Sequence, residues 1–159
     1  MSPDEKKIAR LAKLAETLNS ETDSLNDIFA QFEAQITGMN LGVSAWVEKW
    51  LLGQEGPFVR EDHHGNEIGK YFTGEFLGFT KHDGKWRLCT QSVEIEADDE
   101  GGHHEGLVLS RGDIRLLQNE PRHIRAEAAG HLDRLIDALM AQSELYIRNI
   151  QRAKEAASK

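Results

Sequence analysis

Cysteine occurs once in the 159 residues, at Cys89, so no disulfide can form within the chain. That usage suits a reducing compartment. No apolar run approaches the roughly 18 residues needed to cross a bilayer. The opening residues, from Met1 to Lys13, lack the apolar core and small-residue cleavage site of a secretory signal. A cytoplasmic, membrane-free protein is the expectation. Positive charge is also scarce: 19 basic residues stand against 27 acidic ones, a net charge of −8. Residues 42–119 carry −6 of it, and residues 120–159 carry +1. Phosphate neutralisation needs a basic surface, so nucleic acid is not an expected partner. The chain has no internal repeat and no low-complexity stretch. With 39% hydrophobic and 29% charged residues it should fold, as one domain spanning 1–159.

What the chain does have is a long apolar seam. Ile8, Leu11, Ala15, Leu18, Thr22, Leu25, Phe29, Phe32, Ile36 and Met39 step alternately by three and four residues. That spacing marks a helix face meant to lie against another helix. As a continuous helix the segment would be about 48 Å long. Ser2, Pro3 and Glu5 form a capping-box start, with Asp4 and Glu5 near the positive end of the helix dipole. Helix propensity falls over residues 19–23, but the seam survives there, so one helix or two collinear ones are expected over 1–41. Gly38, Asn40 and Gly42 end it.

A β region follows over 42–118. The run from Val43 to Leu51 alternates, and its aromatic and β-branched content favours a strand over a helix. Residues 54–57 read as a turn, with a short strand at 58–60. His82-Asp83-Gly84-Lys85 reads as a hairpin with a two-residue Asp-Gly tip of type I′. Such a turn fixes the register: Phe79 opposite Leu88, Leu77 opposite Thr90, Gly78 opposite Cys89, Gly74 opposite Val93 and Phe72 opposite Ile95. Glycines two pleats apart, at 74 and 78, imply strong curvature or a close approach. Leu107–Leu109 and Ile114–Leu117 each suggest a short strand. Arg111-Gly112-Asp113 between them reads as a turn.

Over 119–159 the chain turns helical again. Asn119 can cap and Pro121 suits a first turn. Leu132, Leu135, Leu139, Ser143, Tyr146, Ile150, Ala153 and Ala157 form a second, weaker stripe. Gly130 within it predicts a kink or a close contact. The fold expected is α+β: long N- and C-terminal helices packed antiparallel, with a curved antiparallel β-meander between them.

The runs Leu41–Val47, Leu77–Lys81, Asp83–Trp86 and Arg122–Ala128 resemble a group of uncharacterised bacterial helix–sheet–helix proteins. The resemblance spans about residues 17–140. It implies a recurring fold and carries no activity, ligand or catalytic residue.

Candidate chemistry is sparse. His63-His64 and His103-His104 each lie among carboxylates, and both are ligand types for a divalent metal such as zinc. Adjacent residues on a strand point to opposite faces, so each pair would offer one ligand, and the blander reading is two solvated connections. Asp98, Asp99 and Glu100 are consecutive and fan outward. Cys89 reads as a buried structural thiol. Phosphate-cradling loops, dinucleotide fingerprints and serine nucleophile motifs are all missing. Trp46, Trp50 and Trp86 are either core or interface residues, with Trp86, beside the hairpin tip, the expected surface aromatic. Phe72 and Phe76 line the concave sheet face with Gly74 and Gly78.

These features favour a non-enzymatic protein–protein interaction or assembly protein, with an acidic β head and a tendency to homo-oligomerise. No cofactor is required. The alternatives are a divalent-metal protein using the histidine loops and a small-ligand binder using the concave face.

Overall fold

The computed structural model describes residues 3–98 and 103–159, with the side chains of residues 3 and 103–106 outside that description. The chain runs as helix α1 (Pro3–Gly38), strands β1 (Ala45–Glu61), β2 (Glu67–His82), β3 (Lys85–Ala97) and β4 (His103–Leu116), a 3-10 turn (Leu117–Asn119), and helices α2 (Arg122–Ala129) and α3 (Leu132–Ala157). The strands form one antiparallel sheet in the order β1-β2-β3-β4. The fold is therefore α+β, a meander between an N-terminal helix and C-terminal helices that pack against it.

α1 is a single 36-residue helix, unbroken through residues 19–23. The threonine in its weak patch bonds back into it, Thr22 Oγ1 donating to the Leu18 carbonyl at 2.7 Å. The expected capping residue Ser2 lies outside the described residues. At the other end of the chain Gly130 and His131 separate α2 from α3, so the expected kink is a full break. Pro121, rather than Asn119, stands at the N-cap of α2.

The β2–β3 hairpin has the register that its Asp-Gly tip dictates: Phe79 pairs with Leu88, Leu77 with Thr90, Gly78 with Cys89, Gly74 with Val93 and Phe72 with Ile95. Asp83 and Gly84 both have positive φ, 51° and 80°, as a type I′ turn requires. Elsewhere the strands are longer than expected. Residues 54–57 do not turn the chain; β1 continues through them, and its register shifts between Val47 and Leu52, Leu52 and Glu55, and Glu55 and Phe58. β4 is one strand of 14 residues, and Arg111-Gly112-Asp113 lies within it instead of in a turn.

Irregularities of this kind bend a sheet. The outer strands β1 and β4 approach each other across the concave face, where Arg111 pairs with Glu48 at 3.5 Å. Inside that curve sits one core, made by Leu51, Phe72, Phe76, Val93 and Ile95. Gly74 and Gly78 permit it: a Cβ at 78 would collide with the Trp46 ring, and one at 74 with Leu51. The convex face carries the second core, where Leu77, Phe79 and Leu88 meet Phe29 and Ile36 of α1, Ile124 and Ala128 of α2, and Leu135 and Leu139 of α3. Polar ties fix the helices. Glu33 on α1 accepts from the Leu88 amide at 3.0 Å and from Arg87 Nε at 3.1 Å. Glu127 on α2 accepts from the Gly53 amide at 2.9 Å, where β1 is irregular.

Polar contacts along α1 and α2 rise together: Arg122 donates to Asn19 at 2.7 Å and Arg125 to Asn26 at 2.8 Å. Farther on, Phe32, Ile36 and Met39 of α1 share a groove with Ile136, Leu139 and Met140 of α3.

Candidate functional site

The sheet consumes the convex-facing half of α1's seam and leaves the rest. Phe29 and Ile36 are buried, while every residue from Asp4 to Glu21 is exposed. Ile8, Leu11 and Leu18 show 66%, 65% and 49% of their surface to water. α3 repeats the pattern at its other end, where Leu145, Tyr146, Ile147 and Ile150 are exposed. Between the covered parts of α1 and α3 runs an apolar groove of about 450 Å³, walled by Phe32, Ile36, Met39, Leu139 and Met140. Contiguous exposed apolar surface of this kind is where proteins commonly meet partners or membranes. Among the described residues no helix is long and apolar enough to cross a membrane.

The expected interaction aromatics divide. Phe72 and Phe76 are buried in the concave core and offer no surface. Trp46 packs into the same core against Gly78. Trp86 is half-buried, stacked on Phe79 with ring centroids 5.8 Å apart, so the hairpin tip does not hold it out in water. Trp50 is the exposed one, at 50%, and the Arg134 guanidinium lies 4.1 Å from its ring centroid. The concave face that a small ligand was expected to use is filled by Trp46, Leu51, Phe72 and Phe76.

The four candidate histidines fall at one end of the sheet. His63 and His64 occupy the β1–β2 turn, their rings 4.0 Å apart, and β4 begins at His103, paired with Ala97. The side chains of His103 and His104 lie outside the described residues. Asp62 accepts from the amides of Asn66 and His64, bonds that hold its carboxyl below the usual range and close the turn. Among the described residues no three histidine, cysteine, aspartate or glutamate side chains converge as a metal site would require. Burial pushes the Cys89 thiol up to about 11, so it remains protonated and unreactive near neutrality.

Sequence reasoning did not single out a buried polar cluster on the convex face. Arg115 on β4 pairs with Glu75 on β2 and, through Nε at 2.9 Å, with Glu120 ahead of α2. Thr90 Oγ1 donates to Glu120 at 2.7 Å, and Arg115 reaches Ser92 at 3.1 Å. Glu75 Oε2 is buried without a hydrogen-bond partner. Burial, and then the charge of Glu120, push the Glu75 carboxyl above its ordinary range. A cleft of about 670 Å³ opens beside the cluster, with Gln54, Arg111 and His123 on its walls. The only sequence signal was a glutamate in a strand at a position that faces the helices.

No family model matches the chain, and no curated protein or solved structure matches it either.

Proposed function

We propose that this chain is a non-enzymatic, cytoplasmic assembly protein: its helices associate with other copies, and its acidic β head is displayed to a protein partner. The observation that supports this most directly is the uncovered stripe of Ile8, Leu11, Leu14 and Leu18. A helix with an exposed stripe of that length gains little from its own fold, and packing against a partner removes the apolar surface from water. The test is multi-angle light scattering of the untagged chain over a range of concentrations. A mass above 17.9 kDa that rises with concentration is expected. A strict monomer at high concentration overturns the reading.

Metal binding through His63 or His64 with His103 or His104 is the second reading. It is favoured by one observation, that the β1–β2 turn and the start of β4 stand at the same end of the sheet. Zinc, nickel and manganese all at substoichiometric levels in untagged protein would remove it.

A further inference from the structure

Two acids stand where strand alternation and the approach to α2 turn residues toward the helices. Glu75 and Glu120 keep only 9% and 8% of their surface exposed. A buried carboxylate needs a positive partner or a full set of hydrogen bonds. Among the described residues one cation serves both: Arg115 reaches Glu75 Oε1 and, through Nε, Glu120 Oε1. Thr90 adds a hydrogen bond to Glu120, whereas Glu75 Oε2 has no partner. The cluster is therefore one positive charge short. The Arg115 side chain is itself 49% exposed, so solvent weakens the charge it supplies. The excess shows in the Glu75 carboxyl, which burial, and then the charge of Glu120, raise above its ordinary range.

Both acids lie in the wall of the cleft of about 670 Å³ between the sheet and the start of α2. The same wall adds Glu55, which is exposed, and Glu94, which is half-buried. Against these acids it carries Arg111 and His123. Arg111 is already engaged: it pairs with Glu48 at 3.5 Å and lies over the Phe76 ring, 5.4 Å from its centroid. Leu52 and Ile124 give the cleft an apolar side. A cleft of this size, with an apolar side and a few buried polar groups, has the form of a small-molecule site. The missing positive charge sets the sign of the ligand. The place where a metal ion would bridge Glu75 and Glu120 is held by the Arg115 guanidinium, which favours an organic cation.

We propose that this cleft binds a small organic cation, an ammonium or guanidinium head on a short apolar stem, with the head paired to Glu75 beside Arg115 and the stem along Leu52 and Ile124. Glu75 Oε2 is closed to water, but the terminal torsion of a glutamate is soft. A turn of the carboxyl offers one oxygen to the head while the other keeps Arg115. The site is independent of the assembly reading, because none of its walls comes from the bare helix ends.

The experiment follows the backbone amides of the isotope-labelled full chain by two-dimensional NMR. The probes are butylguanidinium and butylammonium chloride at constant ionic strength, with uncharged butylurea as the control of matching shape. Saturable shifts of the Gly53, Gly74 and Ser92 amides in the cleft wall are expected with a charged probe, with a dissociation constant of about 1 mM for so small a ligand. Butylurea should move none of them. No saturation with either charged probe at about 10 mM, or equal shifts with butylurea, overturns the proposal. The same shifts produced by zinc or magnesium chloride overturn it in favour of a metal ion. Glu75→Gln keeps the shape without the charge and is expected to weaken binding about tenfold or more. Glu94→Gln should weaken it about twofold, and it serves as the second variant if Glu75→Gln does not fold. Glu61→Gln, at the end of β1 and outside the cleft wall, should leave binding unchanged. Equal weakening by Glu61→Gln and Glu94→Gln would reduce the effect to general attraction by an acidic protein and remove the site.

Discussion

At residue scale, two positions show what the curved sheet demands. Gly78 lies under the Trp46 ring, and even a methyl group there would displace the indole from a filled core. Gly78→Ala is expected to cost about 1–3 kcal/mol, the usual range for overpacking. Urea denaturation would read it, and a wild-type midpoint would refute the close contact. Glu75 poses an electrostatic demand instead. Its carboxyl is raised above the ordinary 4.5 by burial and by Glu120, with Arg115 acting in the opposite direction. A raised carboxyl binds more protons in the folded state than in the unfolded one. Its contribution to stability is therefore complete below the ordinary value and is lost as pH rises through the folded value. Glu75→Gln removes that dependence. The stability of the variant relative to wild type should thus climb as pH rises from 4.5 toward neutrality, followed by urea midpoints. A difference that stays flat across this window would show that Glu75 titrates normally.

At the scale of elements, the two long helices are each half structural and half bare. Leu135 is fully buried in the convex core, whereas Ile147, on the projecting part of α3, is exposed. Leu135→Ala should cost about 2–5 kcal/mol, and Ile147→Ala less than about 0.5 kcal/mol in the monomer. Equal losses in thermal denaturation at low concentration would mean that the projecting turns are part of the cooperative fold. The division also explains what the sequence could convey. The β2–β3 register was legible because an Asp-Gly tip and two facing glycines are local signals, complete within thirty residues. The continuity of β1 was not, because residues 54–57, with Gly56 and Pro57 among them, read as a turn. The positive φ values of Gly53 and Gly56, 58° and 110°, serve irregularities in a bent strand instead. The Gly130 break was visible as a weakness. The tie that fixes α2 just before the break, Glu127 to the Gly53 amide, spans 74 residues of sequence and no local spacing announces it. The Glu75–Arg115–Glu120 cluster was illegible for the same reason: its members come from β2, β4 and the approach to α2, and no spacing announces them.

At the scale of the molecule, periodicity marked an apolar stripe on both terminal helices but not how much of each the sheet would cover. Ile8, Leu11 and Leu18 of α1 and Tyr146, Ile147 and Ile150 of α3 stay exposed within the chain. In the proposed assembly a second molecule covers them. The uncovered positions are apolar, so screening is not expected to loosen their contact. Going from about 0.1 to about 1 M sodium chloride shortens the screening length from about 10 Å to about 3 Å. The dissociation constant of the proposed assembly is expected to hold or fall over that range, by sedimentation or light scattering. A constant that rises would show that charge, and not the stripe of Ile8, Leu11, Leu14 and Leu18, drives the association.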